Sequence, residues 1–343
     1  MEILITDIHP NGGLGVFRPE EDLAGRYYND TGFCNRLLYW ECVQLINKLH
    51  ENKFDIVVHE EQWPEKDIVR LPNTIFKNTD DIDFSEYIPI QGELFQKIID
   101  GDVVLEDGNY YTDFEYRQIT DVISDSEELQ RYKFGNRIIS NVGFHDEDIN
   151  NLIKEKVSDC IGIHVRRGRG VKFDLSVLET LPESIRDRYH RKKEEDKNCW
   201  PLYIYDFVDD KTYFSYIDSI LKINPNQMFY VSSDMEDIFL NHWIERYPNN
   251  IIMKKDFYEL IDVSQYLHDE KYSQDKPYLR KEGILHFYNF LDLYCLSNTK
   301  MLIKLFMSSW SDFASDYKKK VTMVAKQISP RTIVNLYRTN FIN

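Results

Sequence analysis

The sequence predicts an α/β protein with two doubly wound, Rossmann-type domains that face a central cleft. Three observations favour this fold class. A strand, a glycine-containing loop, a helix and a second strand follow one another over residues 2–61. A longer series of alternating strands and helices begins at Cys160, and an acidic amphipathic stretch separates the two series. Because strands that alternate with helices form parallel sheets, each series is expected to build its own sheet.

The first domain is predicted to span residues 1–155. The apolar stretch EILITDI at 2–8 predicts its first strand, and FDIVVHEE at 54–61 predicts the second. Between them, CNRLLYWECVQLINKLHENK places most of its apolar side chains on one face, which is typical of an amphipathic helix. Residues 64–145 show no clear periodicity and are left without predicted strands.

The second domain is predicted to span residues 156–328, because the amphipathic segment HDEDINNLIKEKVSD ends just before a buried strand. Apolar runs predict strands at 160–167, 227–234, 249–256 and 300–306, and helical periodicity predicts helices at 210–224, 235–247, 282–299 and 307–320. The tail, residues 329–343, is expected to pack back on the first domain.

Composition excludes several classes of protein. The chain has 343 residues and a net charge of −16, which repels phosphate backbones and anionic lipid, so a nucleic-acid partner is not expected. No run of about 18 apolar residues predicts an integral membrane segment. The beginning of the chain also lacks a basic segment followed by an apolar one, so a cytoplasmic location is expected. Five widely spaced cysteines predict reduced, buried thiols.

The stretch CIGIHVRRGRGVKFD at 160–174 gathers three arginines where an apolar strand should end. Ligands of parallel sheets bind outside the carboxyl ends of the strands. Guanidinium groups bind phosphate oxygens through two parallel hydrogen bonds, and the glycines that follow let the backbone approach an anion closely. These residues therefore predict an anion site, and an exposed cluster of ion pairs is the structural alternative.

The residues HVRR at 164–167, after an Ile-Gly-Ile strand, resemble the central motif of the fucosyltransferase superfamily. This superfamily includes α1,6-fucosyltransferases, nodulation fucosyltransferases and protein O-fucosyltransferases. The resemblance implies a GT-B-like fold, contact of Arg166 with the β-phosphate of GDP-fucose, and contact of His164 with the guanosine. Arg169 occupies a position where the superfamily commonly has aspartate, which leaves the donor sugar more open than the phosphate contact.

The segment FLDLYCLSNTKMLIKLFMSSWSDFA at 290–314 resembles a second family stretch. There, an aspartate on a helix reads guanine and a serine-rich turn after the next strand binds the phosphates. The resemblance implies that Asp292 reads guanine and that Ser308 and Ser309 contact phosphate. The alternatives are a polar helix face for the aspartate and an ordinary helix N-cap for the serines.

The segment TGFCNRLLYWECVQL at 31–45 is similar to the loop that opens the first helix of these enzymes. The resemblance implies that Gly32, Asn35 and Arg36 face the sugar nucleotide. A helix N-terminus and a surface arginine explain the same residues equally well.

The segment YVSSDMEDIF at 230–239 resembles a family strand that ends in a serine or threonine followed by acidic residues. The resemblance implies that Ser232, Ser233 and Asp234 lie at the carboxyl edge of their strand, near the nucleotide. Met235 departs from the family pattern, which usually has a second acid at this position.

Together these resemblances imply an inverting, metal-independent glycosyltransferase, in the first place a fucosyltransferase, which moves L-fucose from a GDP-sugar to an acceptor hydroxyl and needs no cofactor beyond that donor. A glycan, a peptide or a lipid-linked sugar remains open as the acceptor. Arg166 is the predicted catalytic cation, and Asp174 and Asp30 are alternative general bases. Two other functions remain open: a non-catalytic nucleotide- or glycan-binding protein of the same fold, and a GT-B transferase that uses another nucleotide sugar.

Overall fold

The structure of the protein is a computed structural model. It describes residues 1–5, 33–59, 63, 65–78, 83–113, 142–165, 208–233, 240–263, 279–304, 308–317, 321–325 and 328–342. The chain divides into two compact units, the first comprising Met1–Asp146 and Tyr272–His286 and the second comprising Glu147–Lys271 and Phe287–Asn343. The first break lies slightly before the predicted boundary, because the helix that precedes the second sheet belongs to the second unit.

The first unit begins with the predicted strand–helix–strand unit. Strand β1 (Glu2–Ile5), helix α1 (Phe33–Leu49) and strand β2 (Asp55–His59) follow one another. The two strands are parallel, with Ile3 level with Ile56. This pairing confirms the parallel arrangement that the sequence predicts. Both strands and the apolar face of α1 are buried.

The region from 64 to 145 contains more regular structure than its sequence indicates. Its elements are β3 (Val69–Arg70), β4 (Thr74–Lys77), a 3-10 helix (Phe84–Glu86), β5 (Ile88–Gln91), α2 (Gly92–Ile99), β6 (Tyr110–Asp113) and β7 (Gly143–Phe144). The described strands of the main sheet lie in the order β4-β2-β1-β6-β5 and are parallel, whereas β3 and β7 form a separate antiparallel pair. Strands β4 and β5 are short and partly exposed, so they lack the apolar run that predicts a buried strand.

The second unit follows the predicted succession closely. Its elements are α3 (Glu147–Val157), β8 (Ile161–Val165), α4 (Asp210–Leu221), β9 (Phe229–Ser233), α5 (Asn241–Arg246), β10 (Ile251–Ile252), α6 (Leu279–Asn298), β11 (Met301–Lys304), α7 (Ser309–Tyr317), β12 (Val321–Val324) and α8 (Pro330–Phe341). Strand β12 and helix α8 lack a sequence prediction. With a parallel sheet in each unit, the predicted α/β class is confirmed.

The strand order of the second sheet defines where a ligand is expected. Among the described strands the order is β10-β9-β8-β11-β12, and all neighbours are parallel. The chain starts at the central strand β8, moves outward through β9 and β10, and then returns to the other side of β8 at β11. The strand order therefore reverses between β8 and β11, and ligands of open α/β sheets bind outside the carboxyl ends at this switch point.

The glycine of the Ile-Gly-Ile strand is explained by packing. A Cβ atom on Gly162 would lie 2.7 Å from Thr299 Oγ1 and 2.9 Å from Leu296 Cδ1, at the end of α6. Any larger side chain would push the helix end away from the sheet. The absence of a side chain at this position therefore allows α6 to lie directly on β8.

The C-terminal tail contributes to the core of the second unit. The predicted contact of residues 329–343 with the first domain stays a prediction. Ser329 caps helix α8 by accepting a hydrogen bond from the Thr332 amide, and Ile333 is buried in the core beneath the helix. The Tyr337 hydroxyl donates to Gln227 Oε1 at 2.6 Å. The tail is held there because its apolar face adds to the core formed by α4 and the second sheet.

Replacing Tyr337 with phenylalanine is expected to lower the free energy of unfolding by about 1–2 kcal/mol. The change leaves the buried Gln227 Oε1 and Asn224 Nδ2 without the hydroxyl that both contact. Urea unfolding would measure the loss, with the exposed Thr339→Ala on the same helix as control. Equal stability of the two variants would contradict this account of the tail.

The described cysteines Cys42, Cys160 and Cys295 are buried, as predicted. Burial raises the pKa of the Cys160 thiol to about 12, so it stays protonated near neutral pH. No helix in the described ranges is both long and apolar enough to cross a membrane.

Candidate functional site

Polar side chains of the second unit converge at the carboxyl ends of its central strands. His164 of β8 lies level with Ser232 of β9, and Val165 lies level with Ser233. Each of these residues is buried, although the sheet core around them is apolar. Buried polar groups at a switch point require hydrogen-bond partners, and the contacts of these groups define the site.

A hydrogen bond between His164 and Ser311 spans the switch point. His164 Nδ1 lies 2.9 Å from Ser311 Oγ in the first turn of α7, and the His164 side chain is only 3% exposed. The backbone carbonyl of His164 also accepts a hydrogen bond from the Tyr213 hydroxyl at 3.0 Å. The imidazole is therefore held in one orientation by the helix that follows β11.

Ser308 lies just before α7, on the same side of the sheet as this contact. Its side chain is completely buried, and its Oγ has no hydrogen-bond partner among the described residues. Its backbone carbonyl accepts a long hydrogen bond of 3.5 Å from Ser311 Oγ. A buried hydroxyl without a partner at the beginning of a helix is available to a ligand, and the N-terminus of a helix favours an anion.

Asp292 lies at the centre of a buried hydrogen-bonded chain. Its Oδ1 accepts from the Tyr230 hydroxyl at 2.7 Å, and its Oδ2 accepts from the Ser232 hydroxyl at 2.8 Å. Trp310 Nε1 in α7 donates to Ser232 Oγ at 3.3 Å. Burial, and next to it the negative charge of Asp292, raises the pKa of Tyr230 far above its ordinary value, so the phenol remains a donor.

The structure brings together the predicted donor-site residues His164, Ser233, Asp292 and Ser308 in the second unit. Other predicted residues lie outside the described residues: Asp30, Gly32, Arg166, Asp174 and Asp234. Three more, Asn35 and Arg36 in the first turn of α1 and Ser309 at the start of α7, have side chains that are not described. Their predicted roles stay predictions.

Three residues of the site were missed by sequence reasoning, namely Tyr230, Trp310 and Ser311. Tyr230 lies two residues before Ser232 in a strand, so both side chains point to the same face. Ser311 lies three residues after Ser308, one helical turn further on. Both spacings can be read from the sequence. They indicate site residues only once the packing of β9 against α6 and of α7 against β8 is known.

No group of three or more histidine, cysteine, aspartate or glutamate side chains in the described ranges is arranged to hold a metal ion. This observation does not reach Asp30, Asp174 or Asp234, which lie outside those ranges. Metal independence therefore stays a prediction.

Comparisons with known proteins give structural likenesses at low identity. No protein-family model and no curated protein matches the chain. The fucosyltransferase NodZ from Bradyrhizobium is 12% identical over 82% of this chain and 89% of its own, with a TM-score of 0.39. A POFUT1 structure in complex with GDP is 9% identical over 86% of this chain and 95% of its own, with a TM-score of 0.40. Identities of this order give no residue correspondence, so the site is built from this chain's own contacts.

Proposed function

We propose that the chain is a glycosyltransferase that transfers a sugar, L-fucose in the first instance, from a GDP-sugar to an acceptor hydroxyl, with inversion and without a metal ion. One observation carries the proposal. The buried Ser308 hydroxyl, which has no partner among the described residues, lies beside the His164–Ser311 contact at the switch point of the second sheet. This is where a parallel sheet of this order binds a nucleotide.

The diphosphate is assigned to the beginning of α7. The helix has nine residues and is the first helix after β11 in the chain, and the Ser308 hydroxyl next to its first residue is a further donor. Backbone amides and a hydroxyl at a helix N-terminus together favour a phosphate group. The motif resemblance assigns the same turn to phosphate, so the two arguments agree on Ser308.

The catalytic cation is assigned to Arg166, which follows directly on the last residue of β8. When the bond between the sugar C1 and the phosphate oxygen breaks, negative charge grows on the departing β-phosphate. A guanidinium fixed at that position stabilises the transition state more than the ground state. The acceptor hydroxyl attacks C1 from the opposite face and loses its proton to Asp174 or Asp30, the two predicted bases.

The guanosine is assigned to the neighbourhood of His164. The contact with Ser311 and the anchored backbone carbonyl fix the orientation of the ring before any ligand arrives. A preoriented ring loses little freedom on binding, so its contact with the nucleotide costs little conformational entropy.

A nucleotide panel tests the proposal. GDP is expected to raise the thermal unfolding midpoint of the protein more than UDP or ADP does, and incubation with GDP-fucose is expected to release GDP. Ser308→Ala is expected to raise the dissociation constant for GDP roughly tenfold, because a hydrogen bond to a charged phosphate is lost. Ser297→Ala is the matched control, since this buried hydroxyl donates to the Leu293 carbonyl of its own helix at 2.7 Å.

The outcomes separate the competing functions. Stabilisation by GDP without release or transfer would favour a non-catalytic binding protein, an alternative suggested by Arg169 at the usual acidic position. Stabilisation by UDP and not by GDP would favour a transferase with another donor. Absence of any nucleotide effect, or equal binding by Ser308→Ala and the wild type, would contradict the proposed site.

A further inference from the structure

We infer that Asp292 is a positioning residue, which holds the first turn of α7 against β9 through Ser232 and Trp310, and that it does not read the base. The inference rests on the proposed function, because the turn that it positions is the proposed phosphate site. Three observations support it. Both carboxylate oxygens accept hydrogen bonds, these hydrogen bonds have a defined direction, and the series of hydrogen bonds ends at Trp310 in the first turn of α7.

Both oxygens of Asp292 are already engaged within the protein. The Tyr230 and Ser232 hydroxyls, on the same face of β9, approach them at 2.7 and 2.8 Å, which are ordinary lengths for O–H···O hydrogen bonds. The carboxyl group is only 3% exposed. A carboxylate that is shielded from water needs such hydrogen-bond donors. Breaking these two hydrogen bonds to bind a base would therefore cost free energy.

The hydrogen bonds run in one direction. A serine hydroxyl has one proton, and Ser232 gives it to Asp292, because a carboxylate can only accept. The oxygen of Ser232 is then an acceptor, and Trp310 Nε1, which can only donate, supplies the proton it accepts. The carboxylate thus fixes the Ser232 hydroxyl in the one orientation that can receive the indole N–H.

The chain of bonds ends in the proposed phosphate site. Trp310 stands between Ser308, whose hydroxyl is proposed to contact phosphate, and Ser311, which contacts His164. Holding Trp310 against β9 therefore fixes the turn that carries both serines. The segment is a helix start, where backbone hydrogen bonds alone leave amide groups unsatisfied and the geometry open to adjustment.

The two roles of Asp292 predict different nucleotide preferences. A carboxylate that reads guanine meets N1–H and the 2-amino group, so its loss would weaken GDP and leave inosine diphosphate, which lacks the 2-amino group, less affected. A carboxylate that positions α7 affects only the contacts with the diphosphate, which both nucleotides contain. Its loss would therefore weaken both nucleotides by the same factor.

The experiment compares Asp292→Asn, Ser232→Ala and the double variant, with calorimetric titration of GDP and inosine diphosphate. Each single variant is expected to raise both dissociation constants about tenfold and to leave their ratio at the wild-type value. The double variant is expected to be no weaker than Asp292→Asn alone, because both changes break the same chain. Trp310→Phe removes the indole N–H and part of the ring. It is also expected to leave the ratio of the two dissociation constants, for GDP and inosine diphosphate, at the wild-type value.

Thermal unfolding of the wild type, Asp292→Asn, Ser232→Ala and the double variant supplies a readout that needs no nucleotide. The fall in midpoint of the double variant is expected to be clearly smaller than the sum of the two single falls, with Ser297→Ala as control for a buried serine on α6. If the wild type binds neither nucleotide, the proposed function fails while this cycle still decides whether the chain of bonds exists. Loss of the GDP preference in Asp292→Asn but not in Ser232→Ala, or fully additive midpoints, would overturn the inference.

Discussion

Replacing Arg166 with alanine is expected to lower the rate of sugar transfer by about 10²- to 10³-fold while leaving the protein folded. The loss is large because the guanidinium is proposed to meet charge that develops mainly in the transition state. We therefore expect kcat to fall, with a smaller change in the dissociation constant for GDP. Steady-state transfer assays and titration with GDP measure the two quantities separately.

Two further variants sharpen this test. Arg166→Lys keeps the positive charge but loses the two-pronged geometry, so it is expected to recover only part of the rate. Arg338→Ala removes an equal charge from an exposed position on α8 and is expected to leave the rate unchanged. If Arg166→Ala transfers sugar as fast as Arg338→Ala does, the proposed mechanism is wrong.

The net negative charge of the protein affects how an anionic donor can bind. With a net charge of −16, the protein as a whole repels an anionic donor, so binding depends on local donors and cations. Added salt screens both effects, but the contact at short range less than the long-range repulsion. We therefore expect the proposed donor binding to depend on the serine turn of α7 and on Arg166 more than on the overall field of the protein.

The second sheet could be predicted from the sequence because its central strands are buried on both faces. Strands β8 and β9 each begin with apolar residues, and the intervening helices carry a clear periodicity. The first unit was less predictable beyond β2. Its outer strands β4 and β5 have only four residues each and expose part of their side chains, so local sequence carries little signal.

Only some residues of the candidate site could be predicted from the sequence, and their hydrogen bonds could not. The serine turn and His164 were predicted from the motif resemblance, and both lie near the carboxyl edge of the second sheet. The partners of Asp292 were not, because they depend on which strand face meets α6. The sequence placed a carboxylate near the nucleotide, whereas the structure shows its oxygens bound to Tyr230 and Ser232.

Replacing Gly162 with valine is expected to have the largest effect on stability. An alanine at this position would already place its Cβ within 3 Å of both Thr299 Oγ1 and Leu296 Cδ1, and such overpacking costs about 1–3 kcal/mol. Thr299 cannot easily yield, because its buried hydroxyl contacts the Leu296 and Met301 carbonyls at 2.8 and 3.2 Å. Valine adds two methyl groups in the same space, so we expect the second unit to unfold at a clearly lower urea concentration than in the alanine variant.

Gly108→Ala is the matched control, because a Cβ there would meet its neighbours only at ordinary distances of 3.5 Å or more. Its free energy of unfolding is expected to stay within about 0.5 kcal/mol of the wild type. Gly162→Ala is expected to weaken GDP binding as well, since the displaced end of α6 carries Asp292 in the same helix. An alanine at 162 that changes neither stability nor GDP binding would show that α6 does not lie on β8 as closely as the packing requires, and that the carboxylate is placed by some other contact.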